Sequence, residues 1–182
     1  MTTRLETERL LLRPPERSDI PALVPLIGDW EVAKNLSRVP YPYTEEDAYS
    51  FFDQAQERRA SGTDFNFAIL LKPYERYIGG CGVHLRDNGE WEFGYWIGKP
   101  CWRNGYATEA ARRLLEFAFE DLKMEALTAG WFSGNPASGH ILEKLGCTRI
   151  GSEERECRSR GHAVRCNMMV LTREAFQLRQ AA

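Results

Sequence analysis

The residues Trp102-Arg103-Asn104-Gly105-Tyr106-Ala107-Thr108 carry the strongest chemical suggestion in the chain. They follow Gly98-Lys99-Pro100 and lead directly into a segment with helical apolar periodicity. A strand, a short glycine-containing turn and a helix start together form an anion site. The first-turn N–H groups have no partner inside the helix, and the helix dipole favours negative charge there. Gly105 has no Cβ to hold a phosphate off the backbone, and Ala107 is nearly as small. Arg103 and Lys99 add positive charge, and Thr108 adds a hydroxyl. On spacing alone the same residues also describe a plain tight turn. The chain has no G-x-x-x-x-G-K-[ST] loop, and Gly80-Cys81-Gly82 lacks the third glycine and following helix of a dinucleotide fingerprint.

The elements that must position this turn are of mixed type. Glu8–Arg13 predicts a short strand stopped by Pro14-Pro15. Ser18 or Asp19 caps a helix whose apolar face is Ile20, Leu23, Val24 and Ile27. Thr44, with Asp47 three residues on, resembles a capping box opening a helix to about Ala60. Three strand-like runs follow, 64–71, 77–85 and 91–97, the last two joined across Asp87-Asn88-Gly89. A long helix is expected from Gly105 to Leu122, then a strand at 126–132, a helix at 136–145, a hairpin of 147–154 with 163–171, and a terminal turn or helix at 172–179. An antiparallel meander followed by alternating β and α elements indicates an α+β sheet, antiparallel first and partly parallel later.

Bulk properties remove several classes. The 182 residues fit one domain, expected to span 1–182. Lys and Arg number 24 against 26 Asp and Glu, a net charge of −2, without the basic excess of a nucleic-acid surface. No signal-peptide core or membrane-length apolar run is present, which points to a cytoplasmic protein with no membrane partner. The five cysteines show no C-x-x-C pair, so neither a metal site nor a disulfide framework is expected.

Read together, several segments narrow the chemistry. WRNGYATEAARRLLEFAF resembles motif A of the GNAT superfamily of N-acetyltransferases, Q/R-x-x-G-x-G/A, with Gly105 and Ala107 at the small positions. Asn135-Pro136-Ala137-Ser138 and Leu142-Glu143-Lys144-Leu145-Gly146 resemble its second motif, and Glu92-Phe93-Gly94-Tyr95-Trp96-Ile97 the strand before motif A. TERLLLRP and LTREAF are similar to the branch of RimJ/RimL-type ribosomal-protein acetyltransferases. The resemblance runs from about Thr7 to Phe176. It implies a GNAT fold with about seven strands, splayed at strands 4 and 5 and flanked by about four helices. Trp102, Cys147, Arg165 and Met169 depart from the family pattern, and the last two put the acceptor side in question.

The resemblance also implies roles. Backbone amides from Arg103 through Asn104, Gly105, Tyr106 and Ala107 to Thr108, with Trp102 leading in, would hold the pyrophosphate of acetyl-CoA. The strand Tyr95-Trp96-Ile97 would expose backbone groups to the pantetheine arm, with an N–H near Ile97 on the thioester carbonyl, and Asn135 would bond a pantetheine amide. Acetyl transfer to a primary amine requires a proton off the nitrogen, a stabilised oxyanion and a proton onto the leaving thiolate. Ser138 occupies the hydroxyl position for the acid, Glu92 is the expected base through a water, and His84 is a substitute. Ser138 and Asn135 can equally be helix-capping residues, and Glu92 a plain surface charge. Trp91, Trp96, Trp102, Tyr41 and Tyr43 are bulk for an acceptor wall or for packing, and Glu153–Arg160 reads as a solvated hairpin. Acetyl-CoA is the implied co-substrate, no metal is implied, and the acceptor is a protein N-terminal amine or a small molecule, with a monomer or homodimer expected. The competing class is an acyl-CoA-binding sensor whose acceptor chemistry is lost.

Overall fold

The computed structural model describes residues 3–180; the outermost residues of the expected 1–182 domain lie outside the described region. Its elements, in chain order, are β1 (Leu5–Glu6), β2 (Leu10–Arg13), α1 (Ile20–Ile27), α2 (Trp30–Ala33), α3 (Glu45–Ala60), β3 (Asp64–Leu71), β4 (Arg76–Leu85) and β5 (Trp91–Ile97). They continue with α4 (Tyr106–Glu116), β6 (Ala126–Phe132), α5 (Pro136–Leu145), β7 (Thr148–Cys157), β8 (His162–Thr172) and α6 (Arg173–Gln180). The described strands form one sheet in the order β1-β2-β3-β4-β5-β6-β8-β7.

The eight strands, against the seven read from the sequence, arise at the N-terminus. There Thr7 turns the chain: its hydroxyl accepts from the Leu10 N–H at 2.9 Å and its own N–H donates to the Leu10 carbonyl at 3.0 Å. β1 thereby folds back antiparallel on β2. All pairings are antiparallel except β5 with β6.

Helices cover both faces of the sheet. α1 and α3 pack one face around Leu11, Ala68, Leu70 and Tyr77, while α4, α5 and α6 cover the other around Phe67, Phe93, Leu114, Leu127 and Phe176. Alternation along the strands feeds both cores: Leu10 and Leu12 point into one and Leu11 into the other. α1 begins where a buried ion pair fixes it. Asp19 is the N-cap of α1 as expected, and its carboxylate accepts two bonds from Arg13 at the end of β2, 2.9 and 2.7 Å. It also accepts from the Glu16 N–H at 2.8 Å in the turn before the helix. α3 starts at the expected box, with both Thr44 and Asp47 bonds formed. The one-turn helix α2, capped by Asp29 accepting from Glu31 N–H at 2.8 Å, has no counterpart in the sequence reading. The long helix after Gly105 is α4 followed by a π-helical turn, Phe117–Asp121, whose Phe117 and Phe119 are buried.

Candidate active site

β5 and β6 share a single Cα pairing, Glu92 with Thr128, and diverge beyond it. In antiparallel ladders, N–H and C=O of alternate residues point to the same side. Gly98 donates to Ile78 of β4 at 2.8 Å, and Trp96 and Gly94 lie opposite Gly80 and Gly82. The backbone groups of Tyr95 and Ile97 therefore face the gap toward β6. The Ile97 carbonyl is taken by the indole N–H of Trp102 at 2.6 Å, which fastens the end of β5 to the turn that follows. Trp96 is corrected: its backbone turns to β4 and its indole lies over Gly80, where an added Cβ would come within 2.8 Å of Nε1.

At the mouth of the gap the turn enters α4. Arg103 and Gly105 both adopt left-handed backbone, φ 63° and 80°, and Gly105 is the N-cap. An L side chain is strained in that region, which is why glycine suits position 105. The first intrahelical bond is donated by Glu109 to Gly105 at 3.1 Å, so the N–H groups of Tyr106, Ala107 and Thr108 precede the ladder and point outward. Asn104 braces the turn by donating from its amide to the Trp102 carbonyl at 2.8 Å and to that of Cys101 at 3.2 Å. Arg9 was absent from the sequence reading. It donates to the Asn104 carbonyl at 3.0 Å, pairs with Glu109 at 2.6 Å and stacks over Tyr106, with its centre 4.7 Å from the ring. It thus braces the cradle, its charge balanced by the Glu109 carboxylate.

On the α4 and α5 face of the gap, two hydroxyls meet. The Tyr95 phenol lies 3.1 Å from Ser138 Oγ and donates toward the Ser138 carbonyl at 3.3 Å. Burial pushes the phenol well above its ordinary pKa, against a lowering by the Ser138 bond, so it stays protonated. Ser138 stands in the first turn of α5, and Asn135 is its N-cap without a side-chain capping bond. Sequence reasoning used Tyr95 for its backbone alone; alternation on β5 is the signal that turns its side chain to the Ser138 face.

On the opposite face, strand register lines up Asp64 of β3, His84 of β4, Glu92 of β5 and Thr128 of β6 in one row. The next row toward the gap holds Asn66, Gly82 and Gly94, with open space in front of Gly94. Glu92 is buried, and Arg155 grips it with two bonds of 2.9 Å. Arg155 comes from β7, crosses Met168 of β8 at 3.5 Å and passes Gly130 of β6, where an added Cβ would meet its Nη1 at 3.2 Å. Glu153 and Arg86 complete a balanced cluster of two carboxylates and two guanidiniums. Burial alone would raise the Glu92 pKa, but bonds from His84 and Arg155 outweigh it and bring it down to about 2. A carboxylate so held is a weak proton acceptor, which corrects the expectation of a water-exposed base at Glu92. The hairpin read as solvated is so on one face, where Glu154, Glu156 and Arg158 are exposed, while Arg155 points inward on the other. No local signal marks it, because its partner lies 63 residues away.

A cavity of about 40 Å³ opens beside this cluster, lined by Asn35, Ser37, Gly130, Phe132, Arg155 and Cys166. The Asn35 Oδ1 atom is buried without a bonding partner among the described residues. Met169 is buried in the α4-side core and Arg165 is exposed, bonded to Ser152 at 3.2 Å, so neither departure from the family pattern touches this face. Tyr41 is exposed and stacks on Trp30 at 5.0 Å, while Tyr43 and Trp91 are half-buried packing. No described helix is long and apolar enough to cross a membrane.

Comparison with known proteins bears on this geometry. A family profile described as acetyltransferase (GNAT) domain matches residues 9–148. The uncharacterised N-acetyltransferase p20 of Bacillus licheniformis is 28% identical over 174 residues, covering 94% of this chain and 97% of p20. The fold is shared with a GNAT-family acetyltransferase from Bacillus anthracis, at TM-score 0.80 and 24% identity over 94% of this chain and 99% of that one. It is shared also with a RimL ribosomal L7/L12 α-N-protein acetyltransferase in complex with coenzyme A, at TM-score 0.81 and 16% identity over 95% of this chain and 99% of that one.

Proposed function

Because this chain belongs to the GNAT acetyltransferase family and is an acetyl-CoA-dependent N-acetyltransferase, we propose that it acetylates a primary amine by direct attack, within one domain and in the cytoplasm. The acceptor is a protein N-terminal amine, as for the RimL α-N-protein acetyltransferase that shares the fold, or a small-molecule amine. The observation that carries the reading is the gap between β5 and β6, with backbone of Tyr95 and Ile97 facing it, the α4 N-terminus at its mouth and two hydroxyls on its wall.

The residues fit acetyl-CoA, which supplies the acetyl group and a thiol leaving group. Outward N–H groups of Tyr106, Ala107 and Thr108 hold the pyrophosphate, in a turn that Arg9 braces through the Asn104 carbonyl. The Tyr95 and Ile97 amides bind the pantetheine arm from one side, and the uncommitted Asn135 amide reaches it from the other. Ser138, with Tyr95 behind it, delivers the proton to the leaving sulfur. Open space at Gly94 admits the amine from the opposite face.

An acceptor screen tests this reading. Peptides with varied N-termini and small amines are incubated with acetyl-CoA, thiol release is followed, and products are identified by mass spectrometry. Amine-dependent release with a mass gain of one acetyl supports the proposal; tight acetyl-CoA binding with no turnover on any amine would return the protein to a sensor role. Gly105→Glu is expected to weaken acetyl-CoA binding at least about 100-fold, since it places bulk, backbone strain and negative charge against the pyrophosphate. Unchanged affinity by calorimetry would place the anion site elsewhere.

A further inference from the structure

Deprotonation of the acceptor has no obvious agent once Glu92 is committed to Arg155. The row that contains Glu92 supplies another. His84 is the direct cross-strand partner of Glu92 on one side and of Asp64 on the other. Its Nε2 lies 3.5 Å from Glu92 Oε1, and its side chain retains 19% exposure where that of Glu92 retains 9%. It lies one row from Gly82 and Gly94, roughly 7 Å along the strands, within reach of an amine entering at Gly94 directly or through one water. Asp64 is buried, and its Oδ1 has no bonding partner among the described residues. Burial drives the Asp64 carboxyl toward its neutral form, and a positive charge on His84 of the neighbouring strand favours the ionised form.

We propose that His84 is the general base of acetyl transfer, oriented by Glu92 and with Asp64 as its other cross-strand neighbour. This rests on the acetyl-transfer reading above. One imidazole nitrogen is oriented toward Glu92, and the other carries the lone pair that takes a proton from the acceptor ammonium. An N–H bond breaks on the acceptor and one forms on the ring. The freed amine lone pair attacks the acetyl carbonyl. As the carbon–sulfur bond breaks, Ser138 protonates the departing thiolate, and the proton still on the adduct nitrogen restores the Ser138–Tyr95 hydroxyl pair. The imidazolium returns its proton to water after product leaves. Asp64 is a positioning residue, acting through His84 by favouring the imidazolium. The other charges around the pair are Arg86 and Arg155, which face Glu92, and Arg38 and Arg58, which act on Asp64. The guanidinium on Glu92 balances part of its charge and leaves Asp64 as the carboxylate whose removal His84 feels.

The test is a pH profile of kcat/KM and kcat, with the best amine of the screen, from about pH 5.5 to 9.5. The wild type should lose activity toward low pH along a limb set by the protonation of a single group. His84→Gln should lower kcat about 100-fold and abolish that limb, while acetyl-CoA affinity and Tm stay near wild type. Imidazole added to His84→Ala should restore part of the rate. Asp64→Asn should move the limb to lower pH, a change that a merely structural role would not produce. Wild-type kcat and an unchanged limb in His84→Gln would overturn the proposal. A wild type that binds acetyl-CoA but turns over no amine would overturn the acetyl-transfer reading and the base with it.

Discussion

The contact between Tyr95 and Ser138 divides labour between two hydroxyls of different acidity. The buried phenol holds its proton through the neutral range, so Ser138 can give its own proton to a leaving thiolate and draw another from Tyr95. Ser138→Ala is therefore expected to reduce kcat by about 100-fold or more with little change in acetyl-CoA affinity. Tyr95→Phe should reduce it less, because the serine remains. Steady-state rates with binding measured by calorimetry separate these effects, and wild-type turnover in Ser138→Ala would reduce the serine to a packing residue. At this scale the sequence was an uneven guide. Motif words located Ser138, Asn135 and the Gly105 turn, because each is specified by its immediate neighbours. Arg9 and Arg155 were invisible, since each works on a group about a hundred or 63 residues away through a long side chain whose direction no local pattern encodes.

Elements hold these side chains by close approach. α5 lies on β6 because Gly139 leaves space for Trp131: an added Cβ would meet the indole ring at 2.8 Å. Gly139→Ala is expected to lower stability by about 1–3 kcal/mol through overpacking, and to lower kcat as well, since Ser138 is the adjacent residue. Thermal unfolding and turnover should fall together, and an unchanged Tm would mean that Trp131 has room to move. The legible elements were those whose cause is local. Thr44 and Asp47 announce α3 by a reciprocal cap, and the alternation of Phe65, Phe67 and Ile69 announces β3. β1 escaped notice because a two-residue strand has no period to read, and its existence depends on the Thr7 turn. Asp19 stands at the N-cap its composition announces, and the bond to Arg13 is the part that no local pattern shows.

Across the whole molecule, the Glu92–Arg155 clamp joins β5 to β7 over the two strands between them. Its contribution depends on pH with a definite sign. The Glu92 pKa is held at about 2 in the folded protein, below the value of about 4.3 expected for an unfolded chain. Stability from the clamp is thus fully present above roughly pH 5 and is lost as pH falls toward 2. Arg155→Met leaves a buried, unpaired carboxylate and should cost about 3–5 kcal/mol at neutral pH. That deficit should shrink on acidification, as urea midpoints at pH ~7 and ~3 would reveal; a constant deficit would show that packing alone is lost.

The lone rung between Glu92 and Thr128 has a consequence for how the protein persists. It makes the sheet two panels, one from β1 to β5 and one from β6 to β7, sharing a hinge line where other strands share a full ladder. A metabolite lodged along that line, bonded to both panels, becomes a structural staple as well as a reactant, and the closed form gains stability as its concentration exceeds its dissociation constant. Any local opening between the panels would be cut by proteases in proportion to its population. The amount of this enzyme in a cell should accordingly follow the supply of acetyl-CoA, so that starvation removes the catalyst together with the reactant it consumes.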